Sequence, residues 1–203
     1  VITEGLVLER NNKDFKNLKP IEGIVGWPAM IDSHVIDHLR RVQNRFGGDL
    51  WSLINSYLPV IPRKISSDSA SINKLVDHYV EINSNLFNKD DFSRLQNDHG
   101  LRYSVNQPGG LPLFEILFEL IEMRSKLGQV LVIASDFREF DYLSAQLLKR
   151  FGTDLNLYDS RCGKTERFNQ FQRINRDKPK IILGNRSSAF TALREKSSVF
   201  VIN

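Results

Sequence analysis

The sequence predicts an α/β fold: a parallel sheet flanked by helices, preceded by a small α+β region. Two observations predict it. From Leu101 onward, extended and helical stretches alternate along the chain. The clearest extended stretches, QVLVIA, KIILG and SSVFVI, are apolar along their length rather than at every second residue, as strands covered on both faces are.

The leading part is read first. VITEGLVLER alternates like a strand, with Ile2, Leu6 and Leu8 on one side. No partner strand precedes it and no initiator methionine opens it, so the sequence reads as a piece of a longer chain. LKPIEGIVG is a second short extended run. IDSHVIDHLRRVQNRFGG predicts a helix with Val35, Leu39, Val42 and Phe46 on one face, stopped by Gly47 and Gly48. Asp49 caps a shorter helix carrying Leu50, Leu53, Ile54 and Tyr57, which Pro59 ends. From there to Gly100 the pattern weakens. RKISSDSAS reads as a linker, INKLVDHYVEINSNLF as a helix using Ile72, Leu75, Val76, Tyr79 and Ile82, and NKDDFSRLQNDHG as irregular chain. The expected organisation is therefore a leading region over 1–64, a linker or small helical segment over 65–100 and an incomplete α/β domain over 101–203.

That domain begins with LRYSV as a strand and NQPGG as a loop. The helix LPLFEILFELIEMRSKLG follows, with Pro112 in its first turn and Gly128 after its end. QVLVIA is a strand, SDFREFDYLSAQLLKRFG a helix, DLNLYD a strand and GKTERFNQFQRINR a helix. KIILG and SSVFVI are the last two strands. Ligands of such sheets gather where strands give way to loops. The loops after Val105, Ala134, Tyr158 and Leu183 are the functional candidates.

Composition narrows the class. The 203 residues carry 41% hydrophobic and 26% charged side chains, ordinary for a globular protein. No apolar run reaches the roughly 20 residues of a membrane helix; LPLFEILFELIEM is broken by Glu115, Glu119 and Glu122. The single cysteine, Cys162, leaves no internal disulfide framework and suits a reducing cytoplasm. The net charge of +4 is segregated: Ala145–Asn203 carries +7 and Val1–Ser144 carries −3. A segregated basic part fits a phosphate-rich partner, and equally a solvated surface.

Three short motifs are set aside. DSRCGKTERF holds the Gly-Lys-Thr of a phosphate-binding loop, but Tyr158 stands where that loop needs its first glycine. Gly163 then starts a helix and Lys164 points into solvent. His34 and His38 have a metal-chelating spacing. Val35 stands where a zinc-protease motif needs Glu, no third ligand is apparent, and Arg41 and Arg45 share the helix face, so a solvated face is expected. In NQPGGLP, Gly109 and Gly110 are present without the lysine and hydroxyl that hold phosphates and Mg²⁺. A plain tight turn is the simpler reading, and backbone anion binding the alternative. NRSSAF, after KIILG, is denser in phosphate donors: Asn185, Arg186, Ser187 and Ser188. A polar turn capped by serine remains the alternative.

Taken in order, GQVLVIASDFREFDYLSAQLLKRFG, ERFNQFQRINRDKPKIILGNRSSAF and SSVFVIN resemble the first RecA-like helicase domain of the primosomal replication-restart (PriA) family. That family has a strand ending in Gly-Thr-Arg-Ser-Ala-x-Phe. Here the motif is Gly184, Asn185, Arg186, Ser187, Ser188, Ala189, Phe190. Glu166 and Arg167 match a family Glu-Arg pair, and Phe171 takes the place of its Trp. EGLVLER, LKPIEGIV and INSYLPVIPRKI resemble the end of the family's DNA 3′-end-binding domain and the segment after it.

The resemblance implies a RecA-like sheet and a DNA-binding protein that recognises branched or forked DNA at stalled forks and reloads replication proteins in the cytoplasm, with no membrane. It implies Asn185, Arg186 and Ser187 as DNA-backbone contacts, with Lys164 and Arg167 close by. The departures matter as much. The Walker lysine is missing beside Gly109 and Gly110, as in a family branch thought to lack helicase activity. The acidic motif expected after SSVFVI and the paired zinc sites would lie beyond Asn203. The implied protein therefore has no working ATPase, no ATP or metal cofactor in this chain, and no catalytic residue. The alternatives left open are an ATP-dependent 3′-to-5′ helicase with a divergent nucleotide site, and a partner-binding remnant without DNA affinity.

Overall fold

The computed structural model describes residues 31–61, 93, 113–177 and 179–202. The expected strands at 1–10, 18–26 and 101–105, the helix over 72–82, the linker and the Gly109–Gly110 loop lie outside the described residues.

Eleven short elements follow in chain order among the described residues 31–61, 113–177 and 179–202. Helices α1 (Ser33–Phe46) and α2 (Leu50–Tyr57) form a hairpin. Then come α3 (Leu113–Ser125), β1 (Val130–Ile133), α4 (Phe137–Phe151), a 3-10 turn (Gly152–Asp154), β2 (Leu155–Tyr158), α5 (Lys164–Arg176), β3 (Ile181–Gly184), a second 3-10 turn (Arg186–Phe190) and β4 (Ser198–Val201). The caps follow from side-chain chemistry. Asp32, Asp49 and Asp136 each accept a hydrogen bond from an orphan N–H of the first turn of α1, α2 and α4.

All four strands are parallel, in the spatial order β2-β3-β1-β4. Helices lie on both faces, as the apolar strands require. Val130, Val132, Leu155, Ile181 and Leu183 point to one side, where α3 supplies Leu117 and Ile121 and α4 supplies Phe140, Leu143 and Leu147. The alternate residues Leu131, Ile133, Tyr158 and Ile182 point to the other side, against Phe171 and Ile174 of α5. Val35, Leu39, Ile54 and Tyr57 join this second cluster. The α1–α2 hairpin, read from sequence as part of a leading region, thus shares its core with the sheet.

The side on which each helix lies follows from the strand order. From β1 the chain crosses over β3 to reach β2, with α4 on the first face. From β2 it turns back to β3, with α5 on the second. From β3 it passes over β1 to β4, and Ala192 and Leu193 of that connection pack into the second cluster. Reversal of direction exchanges the faces because parallel crossovers are right-handed.

Three expectations are corrected. The β4 stretch is not covered on both sides: Val199 and Val201, in register with Leu131 and Ile133, are 53% and 68% exposed because neither core cluster extends over them, whereas the other edge strand, β2, is covered. In α1, Val35 and Leu39 are buried, but Phe46 is 77% exposed because the last turn runs past the packed body. His38 is half-buried rather than solvated. Its Nε2 is buried without a partner, and burial, then Arg41 and His34, push its pKa below the usual histidine value. His34 does reach the surface, where its Nε2 lies 2.8 Å from the Leu193 carbonyl oxygen.

Two glycines are fixed by neighbours rather than by turn type. A Cβ on Gly128 would stand 2.7 Å from the Lys196 carbonyl carbon, where the turns entering β1 and β4 touch. A Cβ on Gly184 would collide with the Ser188 side chain. Gly128→Ala and Gly184→Ala are each expected to cost about 1–3 kcal/mol by overpacking, read as a lower denaturant midpoint. Lys196, at φ 61°, provides the contrast: Lys196→Gly leaves stability equal or higher, because the left-handed backbone favours glycine.

His38 carries a pH prediction. A histidine with a depressed folded pKa stabilises the fold above its unfolded value of 6.5, and that contribution is lost as pH falls through the folded value. His38→Leu is expected to flatten the decline in thermal midpoint on acidification below 6.5; an unchanged decline assigns it to other groups.

Candidate phosphate-binding edge

In a doubly wound sheet, a crevice opens where neighbouring strands send their connections to opposite faces. Here those strands are β1 and β3. They run in register from Val130↔Ile181 to Ile133↔Gly184, and Ala134 N donates to Gly184 O at 2.9 Å. The loop after β1 enters α4 on the first face, and the loop after β3 enters the Arg186–Phe190 turn toward the second. The NRSSAF segment therefore stands at the switch point.

The structure divides that segment into an inner and an outer part. Asn185 is only 7% exposed. Its Nδ2 donates to Ser160 Oγ at 2.7 Å, and its Oδ1 accepts from Ser187 Oγ at 2.8 Å. Ser188 is fully buried, and its Oγ donates to the Asn185 carbonyl at 2.7 Å. Asn185, Ser187 and Ser188 thus spend their polar groups on the turn itself. Asn185 latches the loop after β2 to the loop after β3. Asn185 and Ser187, expected from sequence as phosphate contacts, direct these side-chain donors to Ser160 and to Asn185 respectively. Arg186 is exposed, and among the described residues it has no hydrogen-bond or ion-pair partner.

The loop after β2 is equally anchored. Asp159 N donates to Gln170 Oε1 at 3.0 Å, and Gln170 Nε2 donates to Cys162 Sγ at 3.4 Å. Arg161 is a clamp that the sequence reading missed. It donates to Asp159 at 2.8 Å and to Asp141 of α4 at 3.0 Å, with its guanidinium 4.8 Å from the centroid of the Phe137 ring. Nothing local to Asp159-Ser160-Arg161 signals this, because Asp141 lies 20 residues away.

The two helix starts at this edge differ electrostatically. At α4, Asp136 Oδ1 accepts from Glu139 N at 2.9 Å, while Glu139 Oε2 accepts from Ser135 N at 2.6 Å. Its own carboxylates occupy that N-terminus. At α5 the first-turn acid, Glu166, is exposed, and the N-cap is Gly163, with no side-chain cap. This agrees with the sequence reading, as does the exposure of Lys164. A cation at the first position of a helix opposes the helix dipole, a local cost that an anion would offset. Arg167, one turn on, is half-buried, its guanidinium 5.7 Å from the Tyr158 ring centroid and its Nε buried without a partner. Lys164 and Arg167 thus lie in the first turns of the helix after β2, and Arg186 in the turn after the adjacent strand β3.

A crevice adjoins the edge, lined by Tyr57, Tyr158, Phe171, Phe190, Asn175 and Ser187 among others. It is shallow and largely aromatic. Tyr57 OH donates to Asn175 Oδ1 at 2.9 Å, which ties α2 to α5. Burial raises the Tyr57 pKa far above the ordinary phenol value. Among the described residues no group of three or more His, Cys, Asp or Glu side chains is placed to hold a metal ion, and no helix is long and apolar enough to cross a membrane. Compared with protein-family models, curated proteins and solved structures, the chain matches none.

The Arg161 clamp sets an acid-side prediction. Its hydrogen bonds hold the Asp141 and Asp159 carboxyls below their ordinary value of 3.8. Depressed carboxylates stabilise the fold above the unfolded value, and the contribution is lost as pH falls through the folded ones. Arg161→Ala is expected to lower the unfolding midpoint at neutral pH and to shrink the further loss below 3.8. Parallel pH curves for variant and parent would leave the clamp without a stabilising role.

Proposed function

We propose that this chain binds the phosphate backbone of branched DNA through the C-terminal edge of a RecA-like sheet. On this reading it is a replication-restart protein of the cytoplasm that works with other primosome proteins, without ATP hydrolysis and without a metal in this chain. One observation carries the binding reading. The switch-point loop presents Arg186 exposed and, among the described residues, without a partner, while the helix that follows the adjacent strand β2 starts at Lys164 with no side-chain cap and one exposed first-turn acid, Glu166. Arg186 supplies two parallel N–H donors to a phosphate, Lys164 a mobile point charge, and the first turn of α5 its free N–H groups. The Asn185–Ser160 latch holds the two loops at fixed spacing. The excess of +7 over Ala145–Asn203 adds long-range attraction.

The reading of the sheet as RecA-like rests on its parallel order and on the resemblance of the strand-ending Gly-x-Arg-Ser-x-x-Phe segment, Gly184–Phe190. The restart role and the fork specificity rest on that resemblance alone. The absence of a lysine in NQPGGLP supports the reading without ATP turnover.

The test is binding to a labelled fork across a salt series, with an ATPase assay beside it. The affinity of the parent chain is expected to fall steeply with salt, and Arg186→Ala and Lys164→Ala each to reduce the log–log slope by about one. Arg186→Ala should keep the parent's thermal midpoint and Lys164→Ala should keep or slightly raise it, because both side chains are exposed and Lys164 opposes the α5 dipole. Unchanged affinity in both variants would remove the edge from the binding site. DNA-stimulated ATP hydrolysis would favour the helicase alternative.

A further inference from the structure

A second surface lies on the α1–α2 hairpin, at the turn joining its helices. Phe46, the last residue of α1, is 77% exposed, and Trp51, in the first turn of α2, is 50% exposed. Only the Gly47-Gly48-Asp49-Leu50 connection separates them. Large rings left in water at two ends of one turn cost solvation that the fold could have avoided by burial. Arg45 lies over the Phe46 ring, 5.6 Å from its centroid. Arg40, Arg41 and Arg45 are all exposed and form no ion pair among the described residues. The one acid of the turn, Asp49, is engaged inside the helix cap, its Oδ1 accepting from Ser52 N at 2.9 Å and its Oδ2 from Ser52 Oγ at 2.6 Å. Exposed rings beside guanidinium groups that form no ion pair among the described residues, with Arg41 Nε donating only to the Asp37 carbonyl at 3.3 Å, are complementary to a flexible polyanion with stackable faces. An apolar protein partner would use the rings and leave three cations uncompensated.

We infer that the Phe46–Trp51 corner is a stacking platform for single-stranded nucleic acid, with Arg41 and Arg45 on the backbone and the two rings against bases. This goes beyond the phosphate-binding edge and stands on different residues. It requires neither Arg186 nor the resemblance of Gly184–Phe190.

The test uses the full chain and a fluorescein-labelled oligothymidine of about 12 nucleotides, a length within the span of small single-strand sites. Anisotropy is read at low and moderate salt. Phe46→Ala with Trp51→Ala is expected to weaken binding at least tenfold and Trp51→Phe to retain most of it. Both rings are exposed, so the double variant should keep the parent's circular dichroism and thermal midpoint. Equal affinity of parent and double variant for the oligomer overturns the platform. So does a concentration-dependent self-association of the parent that the double variant abolishes while oligomer binding stays the same, since that assigns the rings to a protein contact.

Discussion

A methyl group on Gly184 has nowhere to go, because the Ser188 side chain fills the place a Cβ would take. This constraint organises the C-terminal edge of the sheet. With no side chain at Gly184, the chain leaves β3 and turns back at once, and Ser188 N and Oγ both donate to the Asn185 carbonyl, at 2.8 and 2.7 Å. That tight turn buries Asn185, whose amide then reaches Ser160 at 2.7 Å. What remains outside is Arg186. A buried amide with both ends satisfied is an inexpensive device for holding two loops, and the loops it holds are those of adjacent parallel strands. The exposed arginine is a consequence of the buried glycine and serine.

The sheet beneath explains why the strand-to-helix loops gather at this edge and not at the opposite one. Parallel strands place every strand-to-helix loop at one end. The reversal of winding between β1 and β3 parts two of those loops, and it also assigns α5 and the α1–α2 hairpin to the same face. Tyr57 therefore stands beside Phe171, 5.2 Å between ring centroids and nearly edge-on, and forms part of the wall next to Ser187 and Phe190. The hairpin supports the edge from one side, and the Arg161 clamp to α4 supports it from the other. The first support is mainly apolar and the second ionic, so acid and salt act on them differently.

The sequence made the elements legible, and the contacts between them much less so. The strands QVLVIA, DLNLYD, KIILG and SSVFVI all occur, because runs of Val, Ile and Leu bounded by Gly, Asp and Ser have few other solutions. The cap at Asp49 and the start at Gly163 are local properties and were readable from neighbours. Asn185 and Ser187 read as phosphate donors because donor chemistry is visible in a sequence while its partner is not: Ser160 lies 25 residues away. Phe46 read as a core residue because periodicity tells which residues share a face but not where that face runs out of core. His38 failed in the opposite sense, since its burial depends on the body that α1 meets. Arg161 was invisible for the same reason, as its second carboxylate comes from another helix. The outer place of β2 in the sheet also depends on long-range pairing.

The most direct test is a titration of the isotopically labelled chain with a DNA fork, followed by amide chemical shifts. The account predicts that shifts and lost intensity concentrate at residues 160–167 and 185–190, on the two loops the Asn185 latch joins. Residues at the opposite end of the sheet, 154–155, 179–181 and 196–198, should stay in place. Perturbation centred on that opposite end, or none anywhere at saturating fork, would contradict it.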